Sequence, residues 1–247
     1  DDFPVLIQNE EKGNYKTVRR VQSFLNGTGV TLNFNYNYYD QAEGEQEKAV
    51  GELLRNKTFR RAMNWAIDRE EINEFVAMGM AAVRQATLND AHPVMTEERA
   101  RKYTEYRPDK AREMLDSMNI VDQDGDGFRE FPDGDDLQLI INPPAFKTQR
   151  TDTALIIKPQ WEKVGIRTMV KPEEKSLWVK KRATGQHQIN IYATVASRGI
   201  TVGYFFPITD WCHFAPLYGS YYVTDGESGV KPEGPFVELM DLYNKIR

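Results

Sequence analysis

The sequence predicts an α/β fold, a mixed sheet flanked by helices, and three observations carry that prediction. Thr31 to Tyr38 alternates in character, with Leu32, Phe34, Tyr36 and Tyr38 on one face and Thr31, Asn33, Asn35 and Asn37 on the other, as a strand does. Leu137–Asn142 and Ile166–Lys171 read as strands separated by a helical stripe of Ala154, Ile157, Trp161 and Val164, which is a βαβ unit. Between them in character is Phe59 to Val76, where two helical stripes meet at Asp68.

The elements follow in order. Phe59, Met63 and Ile67 recur every four residues with Ala62 and Ala66 beside them, so one helix buries that face. Asp68 stands three residues before Glu71, a capping-box spacing, and Ile72, Phe75 and Val76 are expected to form the buried stripe of the second helix. Glu97–Tyr103 and Pro108–Met118 read as short helices, the second with proline at its first position, where a missing N–H costs nothing. Pro159 removes a donor inside the crossover helix and predicts a kink or a broken start. Glu174–Ala183 is a helix with Gly185 past its end, Gln188–Thr194 a strand, and Pro235 opens a last helix carrying Phe236, Leu239, Met240 and Tyr243.

Composition bounds the function classes. The 247 residues are 40% hydrophobic and 28% charged, enough for a sizeable core, and no apolar run approaches the roughly 20 residues of a membrane helix. The net charge of −5 argues against a nucleic-acid partner. One cysteine, Cys212, excludes an internal disulfide and any CxxC site. There is no GxSxG elbow and no GxxxxGK[ST] loop, and His92, His187 and His213 lack metal-ligand spacing. Cys212 and His213 are adjacent and point apart on an extended chain, so they read as a buried or interface pair, and no enzyme is expected.

One constellation could coordinate a cation. Asp122, Asp124 and Asp126 occupy positions 1, 3 and 5 of an EF-hand-like loop, Gly127 makes the turn, Glu130 falls at position 9 and Asp133 at position 12. Asp133 is shorter than the bidentate Glu of that motif, and a hairpin rather than a helix follows. Calcium at these five residues and a plain acidic β-turn both remain open; no other cofactor is expected.

Several segments resemble a known family. Phe59-Arg-Arg-Ala-Met-Asn-Trp-Ala-Ile-Asp-Arg-Glu-Glu-Ile-Asn is similar to the FRxAxxxAIDRExI segment of extracellular solute-binding proteins of ABC transporters, family 5, the oligopeptide and dipeptide class. Tyr106-Arg-Pro-Asp-Lys-Ala-Arg-Glu-Met-Leu-Asp resembles its YDPxKAxxLLD helix. The loop at Asp122 resembles its acidic hairpin, and Trp161-Glu-Lys-Val-Gly-Ile-Arg its helix-to-strand junction. Ser228-Gly-Val-Lys-Pro followed by a helix matches a tail seen in some members.

The resemblance implies the second lobe of a periplasmic-binding-protein fold (type II, cluster C), in members roughly twice this length, one domain being about 100–200 residues. It implies residues 1–30 as a lead-in and hinge region, 31–195 as the ligand-binding lobe and 196–247 as a hinge-crossing segment returning toward the other lobe. The implied role is capture of peptides or oligosaccharides for a membrane permease, in the periplasm or outside the cell and associated with the membrane, with a lipid anchor in the full-length protein left open. The alternative is an isolated binding or scaffolding module. Peptide-binding members carry GWxGDxxDPxxF where the cleft-facing segment begins, with an aspartate on the ligand's α-amino group. Here Ser197 and Arg198 stand where that acid falls, which leaves room for a neutral oligosaccharide. Ser197, Arg198, Tyr204, Trp211 and Tyr218 are the expected ligand contacts, with Tyr221 and Tyr222 as further stacking candidates.

Overall fold

In the computed structural model, which describes residues 3–17, 30–87, 95–192 and 206–246, four strands make one mixed sheet. They are β1 (Thr31–Phe34), β2 (Gln138–Asn142), β3 (Arg167–Val170) and β4 (Ile189–Tyr192), in the order β1-β4-β2-β3. β2 runs parallel to β3 and β4, and β1 closes the opposite edge antiparallel to β4, with Thr31 opposite Tyr192. Mixed α/β architecture with strands near Leu139, Thr168 and Ile191 is what the sequence predicts.

The described helices are α1 (Phe3–Gln8), α2 (Glu10–Gly13), α3 (Tyr38–Gln41), α4 (Glu45–Arg55), α5 (Lys57–Trp65) and α6 (Arg69–Ala77). They continue with α7 (Glu97–Arg101), α8 (Pro108–Asp116), α9 (Thr148–Glu162), α10 (Lys175–Ala183), α11 (Pro216–Val223) and α12 (Pro235–Ile246). α9 is the crossover from β2 to β3. Its Ala154, Ile157 and Trp161 are fully buried against Leu139 and Ile141 of β2, Ile189 and Ile191 of β4, and Phe59, Ala62 and Met63 of α5. The buried Trp161 Nε1 donates to the Met63 carbonyl at 3.1 Å, so the largest core side chain is also satisfied.

α9 runs unbroken through Pro159, against the expectation of a broken start. The carbonyl that loses its donor belongs to Leu155, on the exposed side of the helix, where the loss is cheap. Gly165 ends this unit at φ +85°, and a side chain there would lie 2.9 Å from Arg129 Cγ, so glycine is needed twice over.

Asp68 caps α6 through Glu70 N and Glu71 N, both at 3.1 Å. Glu71 does not return to the Asp68 amide. Gln160 of α9 takes that amide at 3.0 Å and donates to Glu71 at 2.6 Å, which splits the capping box across two helices. The predicted stripe of α6 is largely uncovered: Phe75 is 73% exposed, and Ile72 and Val76 are only half-buried. Periodicity marked a face, and no described element packs fully over it.

The alternating segment at Thr31 departs from expectation in a second way. β1 ends at Phe34, and the asparagines, not the apolar residues, are deepest. Asn33, Asn35 and Asn37 are buried, while Leu32, Phe34 and Tyr36 are half-buried. Asn35 donates to the carbonyls of Gly185 (2.7 Å) and His187 (2.6 Å) and accepts from Asn37 N (3.0 Å). Asn37 in turn accepts from Leu217 N at 3.0 Å, tying α11 to the strand end. Amide side chains here replace a missing ladder, because buried backbone groups must be paired. α11 also packs tightly at Gly219, where a Cβ would fall 1.8 Å from the Thr209 carbonyl oxygen.

Candidate functional site

The two faces of the sheet differ in chemistry. Along β4, Ile189 and Ile191 enter the apolar core, so Asn190 and Tyr192 point to the opposite face. There Asn190 accepts from Asn33 at 3.1 Å, its amide nitrogen lies 3.4 Å from His213 Nδ1, and His187 Nε2 donates to the His213 carbonyl at 3.0 Å. Burial pushes the His187 imidazolium down to about 4, and burial followed by the charge of Arg182 holds His213 well below the usual range. Both rings are neutral at neutral pH.

Further along this face the side chains become aromatic. Tyr192 stacks on His213 (4.8 Å between ring centres, 29°) and on Trp178 (5.2 Å, 29°), and Phe146 stands edge-on to Trp178 at 6.1 Å. Trp178 is anchored by Nε1 on the Asn142 carbonyl at 3.2 Å. The guanidinium of Arg150, in the first turn of α9, lies 4.3 Å over the Tyr192 ring. Its Nε is buried without a hydrogen-bond partner, no carboxylate among the described residues pairs with it, and burial lowers its pKa. A desolvated cation over an aromatic wall is a ready contact for an acceptor-bearing ligand.

A groove of about 680 Å³ opens beside the same helix turn. Gln149 and Thr153 of α9 line one end, Leu32 and Phe34 of β1 and Ile72 and Val76 of α6 line its apolar part, and Arg60 and Arg61 of α5 add cationic heads. Its volume and apolar wall match the usual form of a small-ligand site, and its cationic and amide side chains make it more polar than most. A second cavity, of about 750 Å³, lies between α11 and α12 and gathers Tyr221, Tyr222 and Tyr243.

The sequence-predicted contacts fare unevenly. Ser197, Arg198 and Tyr204 lie outside the described residues. Trp211 is 43% exposed, with the buried Arg182 guanidinium 4.4 Å from its ring. Tyr218 is buried against Phe236 (5.2 Å) and Tyr36 (5.9 Å), with its hydroxyl pKa raised by burial, and presents no open face. Cys212 is buried, and burial pushes its thiol up to about 12, so it is no nucleophile. Arg150, Trp178 and the inward side of Tyr192 were not singled out from sequence. Arg150 and Tyr192 are 42 positions apart, and only the βαβ topology brings them together.

In the acidic loop, oxygens of Asp122, Asp124, Asp126 and Glu130 lie within 4.8 Å of one another, and Asp133 stands outside that group. Asp122 accepts from Gly125 N (2.7 Å) and Gly127 N (3.0 Å), Asp124 from Asp126 N (3.0 Å) and Asp126 from Phe128 N (2.7 Å). Asp126 also pairs with Arg167 at 2.6 Å, and the buried Glu130 accepts from Gln123 N at 2.6 Å. Hard oxygens in this number suit Ca²⁺, and each is already bonded within the turn.

Comparison with known proteins gives a consistent result. Residues 2–211 match the family model for bacterial extracellular solute-binding proteins, family 5 Middle. The chain is 28% identical over 241 residues to a periplasmic alpha-galactoside-binding protein of Rhizobium meliloti (strain 1021), covering 89% of this chain and 32% of that protein. It is 28% identical over 171 residues to the oligopeptide-binding protein AppA of Bacillus subtilis (strain 168), covering 68% and 29%. Among solved structures, an oligopeptide-binding protein OppA superposes with a TM-score of 0.81 at 26% identity, over 99% of this chain and 39% of that one. A periplasmic binding protein, MelB, in complex with stachyose from Agrobacterium fabrum C58 shares the fold, with a TM-score of 0.65 at 19% identity over 90% and 36%. The chain therefore spans about a third of the length of the curated relatives it matches, less than the half expected from the sequence. No helix among the described residues is long and apolar enough to cross a membrane.

Proposed function

The chain belongs to the bacterial extracellular solute-binding proteins of family 5, and from that premise we propose that it supplies one ligand-contacting lobe of the substrate-binding component of an ABC importer. The lobe takes peptides or oligosaccharides outside the cytoplasmic membrane and hands them to a membrane permease. The observation that carries this reading is the meeting, at the first turn of α9, of the Arg150–Tyr192–Trp178 wall with the groove between β1, α5 and α6. Relatives named for alpha-galactosides, oligopeptides and stachyose support the two ligand classes. The half-buried Tyr192 is the ring of that stack that a sugar can reach, with Trp178 buried behind it as support, and the groove beside it adds hydrogen-bonding groups.

The mechanism that follows is closure. A ligand seated on this wall has its other side open, and contacts from a second lobe would draw the two together about a hinge. The chemistry around Cys212, His187 and His213 supports binding without turnover, since the thiol is protonated and buried and the imidazoles are neutral and enclosed. Titration calorimetry with stachyose and with a hexapeptide tests the proposal. Saturable binding of at least one, weakened by Tyr192→Ala, is expected; binding untouched by Tyr192→Ala would place the ligand elsewhere.

A further inference from the structure

The groove carries a charge pattern opposite to that of the whole chain. With 37 acidic and 32 basic residues the protein is net negative, yet the groove is lined by Lys57, Arg60, Arg61, Arg69 and Arg84 and by no aspartate or glutamate among the described residues. Several arginines elsewhere are paired with carboxylates: Arg55 with Asp40 and Arg107 with Asp109, Arg129 with Asp116 and Arg167 with Asp126. In the groove Arg69 is spent on the carbonyls of Asn64, Ile67 and Thr104 and on the Asn64 side chain. Arg60 uses Nη1 to cap the end of α4, on the Leu54 (2.8 Å) and Arg55 (2.6 Å) carbonyls. Among the described residues Arg61 donates to the Tyr103 hydroxyl alone, at 3.2 Å, and its guanidinium lies 5.2 Å over that ring. Arg60 and Arg61 thus retain N–H donors, and burial already lowers the pKa of Arg60 without a carboxylate to offset it.

A desolvated arginine such as Arg60 is costly without a carboxylate beside it, and an anion entering between Arg60 and Arg61 recovers that cost through charge-assisted hydrogen bonds. Beside them lie Leu32, Phe34, Ile72 and Val76, which would stay dry against an apolar body and are poorly matched to a sugar's hydroxyl-rich rim. Arg150 repeats the pattern at the neighbouring wall. We infer that this lobe selects ligands carrying a carboxylate beside an apolar chain, with Arg61 and Arg60 on the carboxylate and the β1–α6 wall on the chain. The inference rests on reading the groove as ligand-facing. The same chemistry belongs to an alkanoate and to a peptide ending in apolar residues, and the probes separate the two.

The test is calorimetry of the full chain with octanoate, octanol, and N-acetyl-Leu-Leu with a free or amidated C-terminus, stachyose being the neutral comparison. Each acid is expected to bind about tenfold or more tightly than its neutral partner. Arg61→Gln, which gives up a single hydrogen bond to Tyr103, should weaken acid binding about tenfold and leave octanol unchanged. Val76→Asp, which brings a carboxylate to the wall, should weaken octanol through the lost apolar contact and weaken octanoate further by repulsion. Tighter octanoate or tighter peptide acid would each support selection and name its source. Equal binding of both acids and their neutral partners, or acid binding that neither variant weakens, overturns selection. Stachyose binding without octanoate or peptide-acid binding also overturns selection and leaves the ligand-contacting role intact, whereas no binding of any probe overturns both.

Discussion

The two faces of one four-stranded sheet are built on different principles. The face under α5, α8 and α9 is a conventional core, in which Phe59, Trp161, Leu139 and Ile191 interlock with little polar content. The face under α10 and α11 is held by amides and imidazoles, Asn33, Asn35, Asn37, Asn190, His187 and His213, and grades into the Tyr192–Trp178 stack. The difference teaches where stability and function reside. A close-packed apolar face has room for a ligand only at its uncovered margin, beside Leu32, Phe34 and Ile72, while a face assembled from polar groups and flat rings grades into a binding wall.

Substitutions should break the two faces in different ways. Trp161→Ala removes a fully buried side chain and its bond to Met63, and should cost about 3–5 kcal/mol in a denaturant melt. Phe75→Ser, at the exposed stripe of α6, should change stability by less than ~0.5 kcal/mol. A large loss at Phe75 would mean that the α6 stripe is covered after all.

Acid should attack the polar face. The unfolded chain takes up a proton at His187 near the ordinary 6.5, and the folded chain only near 4, so folding stability falls as pH drops through that window. The His187 contribution is on the order of 3 kcal/mol at pH 4. It is read as the difference in pH dependence between wild type and His187→Gln, and parallel profiles would show that the imidazole is not enclosed as described. Asn35→Ala is smaller: it strips the Gly185 and His187 carbonyls and the Asn37 amide of partners and should cost about 2 kcal/mol.

The acidic loop lies outside both faces, and its effect is smaller than those at the buried positions. Asp122→Ala frees the Gly125 and Gly127 amides and should cost about 1 kcal/mol in a chelator, because it removes an exposed cap. A melting temperature that rises with calcium in wild type but not in the variant would assign the loop a metal in addition. No rise in either leaves the turn alone.

The core face was legible in the sequence because it is written in periodicity. The every-fourth apolar residues of α5 and the β2–α9–β3 order identified buried side chains directly. The polar face was not, since alternating asparagines look solvent-facing until partners about 150 positions away, at Gly185, His187 and Asn190, are brought beside them. The stripe of α6 failed for the converse reason, as a pattern shows which residues share a face and not what covers it. Tyr218, expected at the ligand, is instead packed under α12, for aromatic content does not distinguish wall from core.

Hydrogen exchange with and without ligand tests the central claim most directly, using whichever of the peptide, octanoate and stachyose probes binds best. Protection is expected to concentrate in the first two turns of α9, around Gln149 to Thr153, and in β4 up to Tyr192, with α8 unchanged. Saturating ligand that leaves both segments exchanging as before would contradict the assignment of the site to the first turn of α9.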